Sequence, residues 1–125
     1  MLNDNVRTLV DGRNFAVVAT TNADGSPQSS VVWITRDGDD LLFATVRGRR
    51  KERNLNRDPR VSVTVLDDAN GYEYAEIRGT ATMTNEGGRE LINELSHKYQ
   101  DTDFHEEPAH VVRVVVRISP THVVG

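Results

Sequence analysis

The chain has 125 residues, no cysteine, and 15 Lys and Arg against 19 Asp and Glu, a net charge of −4. That length corresponds to one domain, 1–125, able to bury a core without disulfide or metal staples, and the missing cysteines exclude thiolate nucleophiles and Cys-ligated zinc or iron–sulfur centres. The acidic balance speaks against a general nucleic-acid binder; with no apolar run near the ~20 residues of a membrane span and no signal-peptide pattern at the start, a cytoplasmic protein is expected.

Leu2, Val6, Leu9 and Val10 share one helical face, with Asn3 or Asp4 to cap it and Gly12 to end it. Phe15 to Thr21 reads as a strand, and Asp24-Gly25 as a type I′ hairpin turn. Gln28 to Arg36 is the second strand, Asp37-Gly38 a turn, and Leu41 to Val46 the third strand. A short polar helix follows, stopped by Asp58-Pro59. Val61, Val63 and Val65 alternate in a fourth strand. Asn70-Gly71 turns the chain into a fifth, Tyr72 to Thr84, bent at Gly79. Asn85 is positioned to cap a helix with Leu91, Ile92, Leu95 and Tyr99 as its buried stripe. Residues 100–108 read as a polar, mobile loop. Val112, Val114, Val116 and Ile118 then alternate with Arg113 and Arg117 in a closing strand. Hairpins and long strands of this kind make a meander. The expected fold is mainly β, a six-stranded antiparallel barrel with three peripheral helices.

The densest chemical signal is Arg47-Gly-Arg-Arg-Lys-Glu-Arg53, where five cations face the single Glu52. A local charge of +4 in an acidic chain points to a small anion, above all a phosphate. Arg supplies a planar fork for its oxygens and Lys a compact charge, and a helix starting near Gly48 adds free N–H groups. The competing reading is a solvated basic face. Ser30 shares one strand face with Gln28, while Val31 and the lone Trp33 share the other. That strand suits either a ring ligand or ordinary core packing. Tyr72, Tyr74, Glu76 and Arg78 fall on one face of the fifth strand, where Glu76 and Arg78 are placed to pair. The four histidines lack metal-ligand spacing, and no Gly-x-Ser-x-Gly elbow, Walker loop or Gly-x-Gly-x-x-Gly fingerprint occurs.

Taken in order, Phe15-Ala-Val-Val-Ala-Thr-Thr-Asn-Ala-Asp-Gly-Ser-Pro-Gln28, Ser30-Val-Val-Trp33, Arg49-Arg-Lys-Glu-Arg-Asn54 and Tyr74-Ala-Glu-Ile-Arg-Gly79 carry a resemblance. The chain resembles the split β-barrel flavin and deazaflavin oxidoreductases related to pyridoxamine 5′-phosphate oxidase, most of all the branch that uses coenzyme F420. The resemblance implies an FMN-binding split-barrel fold and a homodimer with the cofactor at the subunit interface. It implies Arg49 and Lys51 as phosphate ligands, with Arg50 beside them and Asn54 assisting. Ser30, Val31 and Val32 would line the ring, partly through backbone groups, with Trp33 flanking it, and Tyr74 and Ala75 would approach from the partner subunit.

Two departures bear on the cofactor. Pyridoxamine phosphate oxidases have a longer design, whereas this sequence stops at Gly125, and Ser29–Ile34 offers no Arg or Lys for an FMN phosphate, although Arg36 lies just beyond. Both favour F420, with FMN as the alternative. The implied reaction is hydride transfer from reduced F420 to an electron-poor enone, quinone or tetrapyrrole. It needs no side-chain nucleophile and no metal; Tyr74 is a candidate proton donor. A carrier that holds F420, flavin or haem without turnover is the rival from another class. A small-barrel nucleic-acid binder is the other rival, opposed by the overall acidity.

Overall fold

The computed structural model describes residues 2–125. The alternating segments form seven strands: β1 (Ala16–Thr21), β2 (Pro27–Val32), β3 (Thr35–Asp37), β4 (Asp40–Val46), β5 (Arg60–Leu66), β6 (Tyr74–Thr84) and β7 (Arg113–Val124). Three helices, α1 (Asp4–Asp11), α2 (Arg50–Arg57) and α3 (Gly88–Gln100), cover them. All strand pairs are antiparallel, in the order β2-β1-β5-β6-β7-β4-β3. The two sheet edges are therefore β2 and β3, which are consecutive in the chain and joined only by Trp33 and Ile34. Three residue steps from Val32 to Thr35 span at most about 11 Å, so the sheet has to curl until its edges nearly meet. No ladder closes it.

Side chains on the inner faces fill the curl: Val18, Phe43, Val63, Val65, Ile77 and Ile118 are all 0% exposed. α1 enters the same core through Val6 and Val10, joined by Leu2 just before it, and its first turn is capped by the Asn3 side chain, which accepts from the Val6 amide at 2.9 Å. A second, smaller core lies on the outside, where Leu91, Leu95 and Tyr99 of α3 pack on Trp33, Leu42, Ala44 and Val115.

At the seam, Ile34 is fully buried, and α3 satisfies its peptide groups where the strand ladder does not. The Ile34 amide donates to Tyr99 Oη at 3.2 Å, and its carbonyl accepts from Lys98 Nζ at 2.6 Å. Tyr99 Oη also donates to the Asn14 carbonyl at 2.5 Å, and Lys98 Nζ to the Val10 carbonyl at 2.6 Å. Two side chains of one helical turn thus tie α1, β2 and β3 together.

The structure corrects several expectations. The strand predicted over Gln28–Arg36 is two, because the chain changes partners at Trp33-Ile34: Val32 pairs with Ala16, whereas Thr35 pairs with Leu42. The count is seven strands and the sheet is open. The 22–26 hairpin is not type I′, since Gly25 has φ 87° while Asp24 is not in the positive region; Asn22 and Ser26 close a longer loop. Residues 67–73 form a hydrogen-bonded loop, so Tyr72 lies outside β6 and is 95% exposed. Asn85 does not cap α3. Gly87 occupies that position, and the Asn85 side chain accepts from Arg47 Nε at 2.9 Å instead. The bend at Gly79 is a bulge between Arg78 and Gly79. The loop read as mobile is fastened: the Phe104 amide donates to Asn93, and Arg89 donates to the carbonyls of Phe104 and His105.

Two outcomes test the seam. Tyr99→Phe keeps the ring but removes the hydroxyl, leaving buried Ile34 and Asn14 groups unpaired, and should cost about 1–3 kcal/mol in urea denaturation with unchanged far-UV circular dichroism. Burial lowers Lys98 from its ordinary 10.5 to about 8, partly opposed by Asp11 and Glu94. Between those values the unfolded chain binds more protons than the folded one, so this residue makes stability rise as pH is raised from about 8 toward 10.5. Stability measured across that window should slope less steeply upward in Lys98→Met than in the parent.

Candidate functional site

The basic segment is organised by its one acid. Glu52, the third residue of α2, is 3% exposed; its carboxylate accepts from the Gly48 amide at 2.7 Å and from Arg47 Nη1 at 3.1 Å, and also from the Asn56 side chain. Glu52 thus reaches back across the helix start to the residue before the N-cap. Gly48 takes φ 96°, a left-handed turn that a side chain would strain. Arg49 then stands at the N-cap and Lys51 in the first turn of α2.

Arg49 and Lys51 line a cleft of about 210 Å³ together with Val31, Val32 and Trp33. Ile92 and Leu95 of α3 form part of the same wall, with Phe104 and Arg113. Among the described residues neither Arg49 nor Lys51 makes an ion pair. Burial, and then the charges of Arg49 and Arg113, hold the Lys51 ammonium below its ordinary pKa of 10.5. Three cations therefore crowd the cleft, and of these Arg113 alone has a carboxylate partner, Glu107, among the described residues. Beside them runs a column of rings. Phe15 and Trp33 stack on Tyr99 at centroid distances of 5.6 and 5.5 Å, the latter nearly parallel at 8°, and Phe104 meets Trp33 edge-on at 6.2 Å. A flat apolar wall next to unpaired cations suits a ring system bearing an anionic tail.

Of the residues singled out from the sequence, Val31, Val32, Trp33, Arg49 and Lys51 come together. Ser30 does not line the cleft; its hydroxyl is buried without a partner. Arg50 is exposed at the start of α2 and stands outside the lining. Asn54 is turned away altogether. It is 0% exposed, and its amide donates to Thr20 Oγ1 at 3.0 Å and Asn22 Oδ1 at 2.9 Å, fastening α2 to β1 rather than reaching a ligand. On β6, Tyr74 is 53% exposed whereas Ala75 is wholly buried, so only the tyrosine of that pair presents a side chain to a neighbour. Glu76 and Arg78 pair at 3.3 Å. The cleft also takes in Phe15, Ala44, Ile92, Leu95, Phe104 and Arg113, and Glu52 holds the Gly48 turn beside it; none of these was singled out for the site, and tertiary packing alone gathers them.

Architecture and cleft together define a mainly β split barrel with three helices and a groove lined by Arg49, Lys51 and Arg113. The chain belongs to the pyridoxamine 5′-phosphate oxidase family, whose model matches residues 2–125. It is similar over 98% of both chains to a solved F420 reductase, at 29% identity and a TM-score of 0.87. A pyridoxamine 5′-phosphate oxidase-like protein of Listeria innocua shares the fold at 23% identity and a TM-score of 0.72, over 96% of this chain and 94% of that one. General stress protein 26 of Bacillus anthracis does so at 21% identity and 0.70, over 96% and 89%. Family and neighbours support a flavin- or deazaflavin-type oxidoreductase.

Removing the acid at the hub checks the local account. Glu52→Ala removes the acceptor of the Gly48 amide and one of the two partners of the Arg47 guanidinium, and should lower stability by about 1–3 kcal/mol. A chemical-denaturation loss under about 1 kcal/mol, within the range of an ordinary surface change, would show that the loop holds its shape unaided.

Proposed function

We propose that this protein is a coenzyme F420-dependent reductase, working as a homodimer on a small electron-poor organic substrate. The carrying observation is that Arg49 and Lys51, free of ion pairs, open onto the same cleft as Val31, Val32 and Trp33. A phosphate fits the cations, and a planar deazaflavin fits the wall. When bound, the cofactor supplies the hydride. The chain holds the phosphate, flattens the ring against its apolar wall and excludes water. β2 assists through its backbone, because an edge strand leaves alternate N–H and C=O groups unpaired. Binding sites for ligands of this size usually enclose about 300–1,000 Å³. The 210 Å³ cleft, rimmed by Val31 at 65% and Phe15 at 48% exposure, therefore reads as half of a site that a second subunit completes. Tyr74 of the partner subunit is the candidate proton donor.

FMN is the alternative cofactor, favoured by the family match and by the same phosphate chemistry. Titration of the purified protein with F420 and FMN side by side decides between them. Arg49→Ala and Lys51→Ala should each weaken binding of the preferred cofactor by about 1.5–3 kcal/mol, the range of a charge-assisted hydrogen bond. Unchanged affinity in both variants moves the site elsewhere. Tight binding without oxidation of the reduced cofactor by any of a panel of enones and quinones leaves a carrier.

A further inference from the structure

Arg113 opens β7 and is partly buried, its side chain 9% exposed. Its Nε donates to both carboxylate oxygens of Glu107, at 3.0 and 3.2 Å, and its guanidinium lies 5.1 Å over the Phe104 ring. Arg89 sits against the same ring at 5.4 Å, but there the two arginines diverge. The Nη1 of Arg89 donates to Glu107 at 2.9 Å, and its Nη2 to the carbonyls of Phe104 and His105 at 3.0 and 2.9 Å. Arg89 is committed to the protein. Arg113 is hydrogen-bonded through Nε alone, and among the described residues neither of its Nη groups has a protein acceptor.

Those uncommitted donors belong to a side chain lining the cleft that Arg49 and Lys51 share. Its Nη groups are not sealed from solvent, so they stay available to an acceptor that enters the cleft. Two guanidiniums on one carboxylate leave the cluster with residual positive charge, so the acceptor it favours is anionic. Two parallel Nη donors match two oxygens of a phosphate. The lowered pKa of Lys51, which Arg113 helps to cause after burial and Arg49, fits one shared seat for all three cations.

We propose that Arg113 is a third ligand of the phosphate held by Arg49 and Lys51, and that Glu107 is its positioning residue. This rests on the reading that the cleft seats a phosphate-bearing flavin or deazaflavin. The test compares each cofactor with its phosphate-free counterpart: F420 with 8-hydroxy-5-deazariboflavin, and FMN with riboflavin. Arg113→Gln should weaken the phosphate-bearing ligand about ten- to hundredfold and leave the phosphate-free chromophore unchanged. Retained chromophore binding shows that the variant is folded. Arg113→Lys keeps the charge and loses the fork, and should give a smaller loss in the same ligand only; Glu107→Gln should act likewise through a loosened Arg113. Equal loss of both ligands would reduce Arg113 to packing against Phe104, and no loss in either arginine variant would remove it from the site. If Arg49→Ala and Lys51→Ala weaken the cofactor while the Arg113 variants do not, this inference alone fails. If none of them does, the seat itself is wrong.

Discussion

The architecture turns on one peptide unit at the seam of an open sheet. β2 and β3 are opposite edges of the sheet, yet only Trp33 and Ile34 separate them. No ladder can serve Ile34, and leaving its buried amide and carbonyl unpaired would cost roughly 1–3 kcal/mol each. Tyr99 and Lys98 supply the missing partners, so α3 is the clasp of the barrel rather than a cover laid over it. The same geometry makes the cleft. Ile34 goes inward to the core, and Trp33 is directed outward onto Tyr99, where it becomes part of the groove wall. The turn that brings the two sheet edges side by side also builds the groove wall.

Charge is distributed with a matching logic. Arg47 is committed to Glu52 and the Asn85 side chain, and Arg89 to Glu107 and the carbonyls of Phe104 and His105. Glu52 and Glu107, both largely buried, each gather a set of donors and hold a segment of the groove in place. Among the described residues Arg49 and Lys51 are left without counter-ions. In a chain with four more acids than bases, withholding a carboxylate from two adjacent cations is a local feature of the fold, not a consequence of composition. It concentrates positive potential where a low-dielectric wall strengthens it.

Much of this was readable along the chain. Period-two runs such as Val61, Val63, Val65 and Val114, Val116, Ile118 specified strands and their inward faces, because side-chain alternation is a property of a single strand. The Asn3 cap, the Asp58-Pro59 stop and the basic island were equally local. Errors came where a residue's partner is distant. Trp33-Ile34 alternates smoothly with its neighbours, and nothing nearby announces that the pairing partner changes from β1 to β4. Asn85 has the chemistry of a cap, but Arg47, thirty-eight residues earlier, takes its side chain. The polar loop after α3 is anchored through Phe104, whose neighbours Trp33, Arg89 and Arg113 lie on three other segments.

The candidate site divides along the same line. By itself the sequence determined which residue types were available: the island holding Arg49 and Lys51, and the strand carrying Val31, Val32 and Trp33. Tertiary structure decided which of them face one another. One-turn spacing groups Arg50 with Asn54, yet it cannot tell which part of the helix lies over β1, and Asn54 is drawn under α2 toward Thr20 while Arg50 stays in solvent. It also brought Arg113 and Phe104 to the groove from the far end of the chain. The physical reason is range: backbone preference and periodicity act over a few residues, whereas burial and charge pairing are settled only when remote segments share the same space.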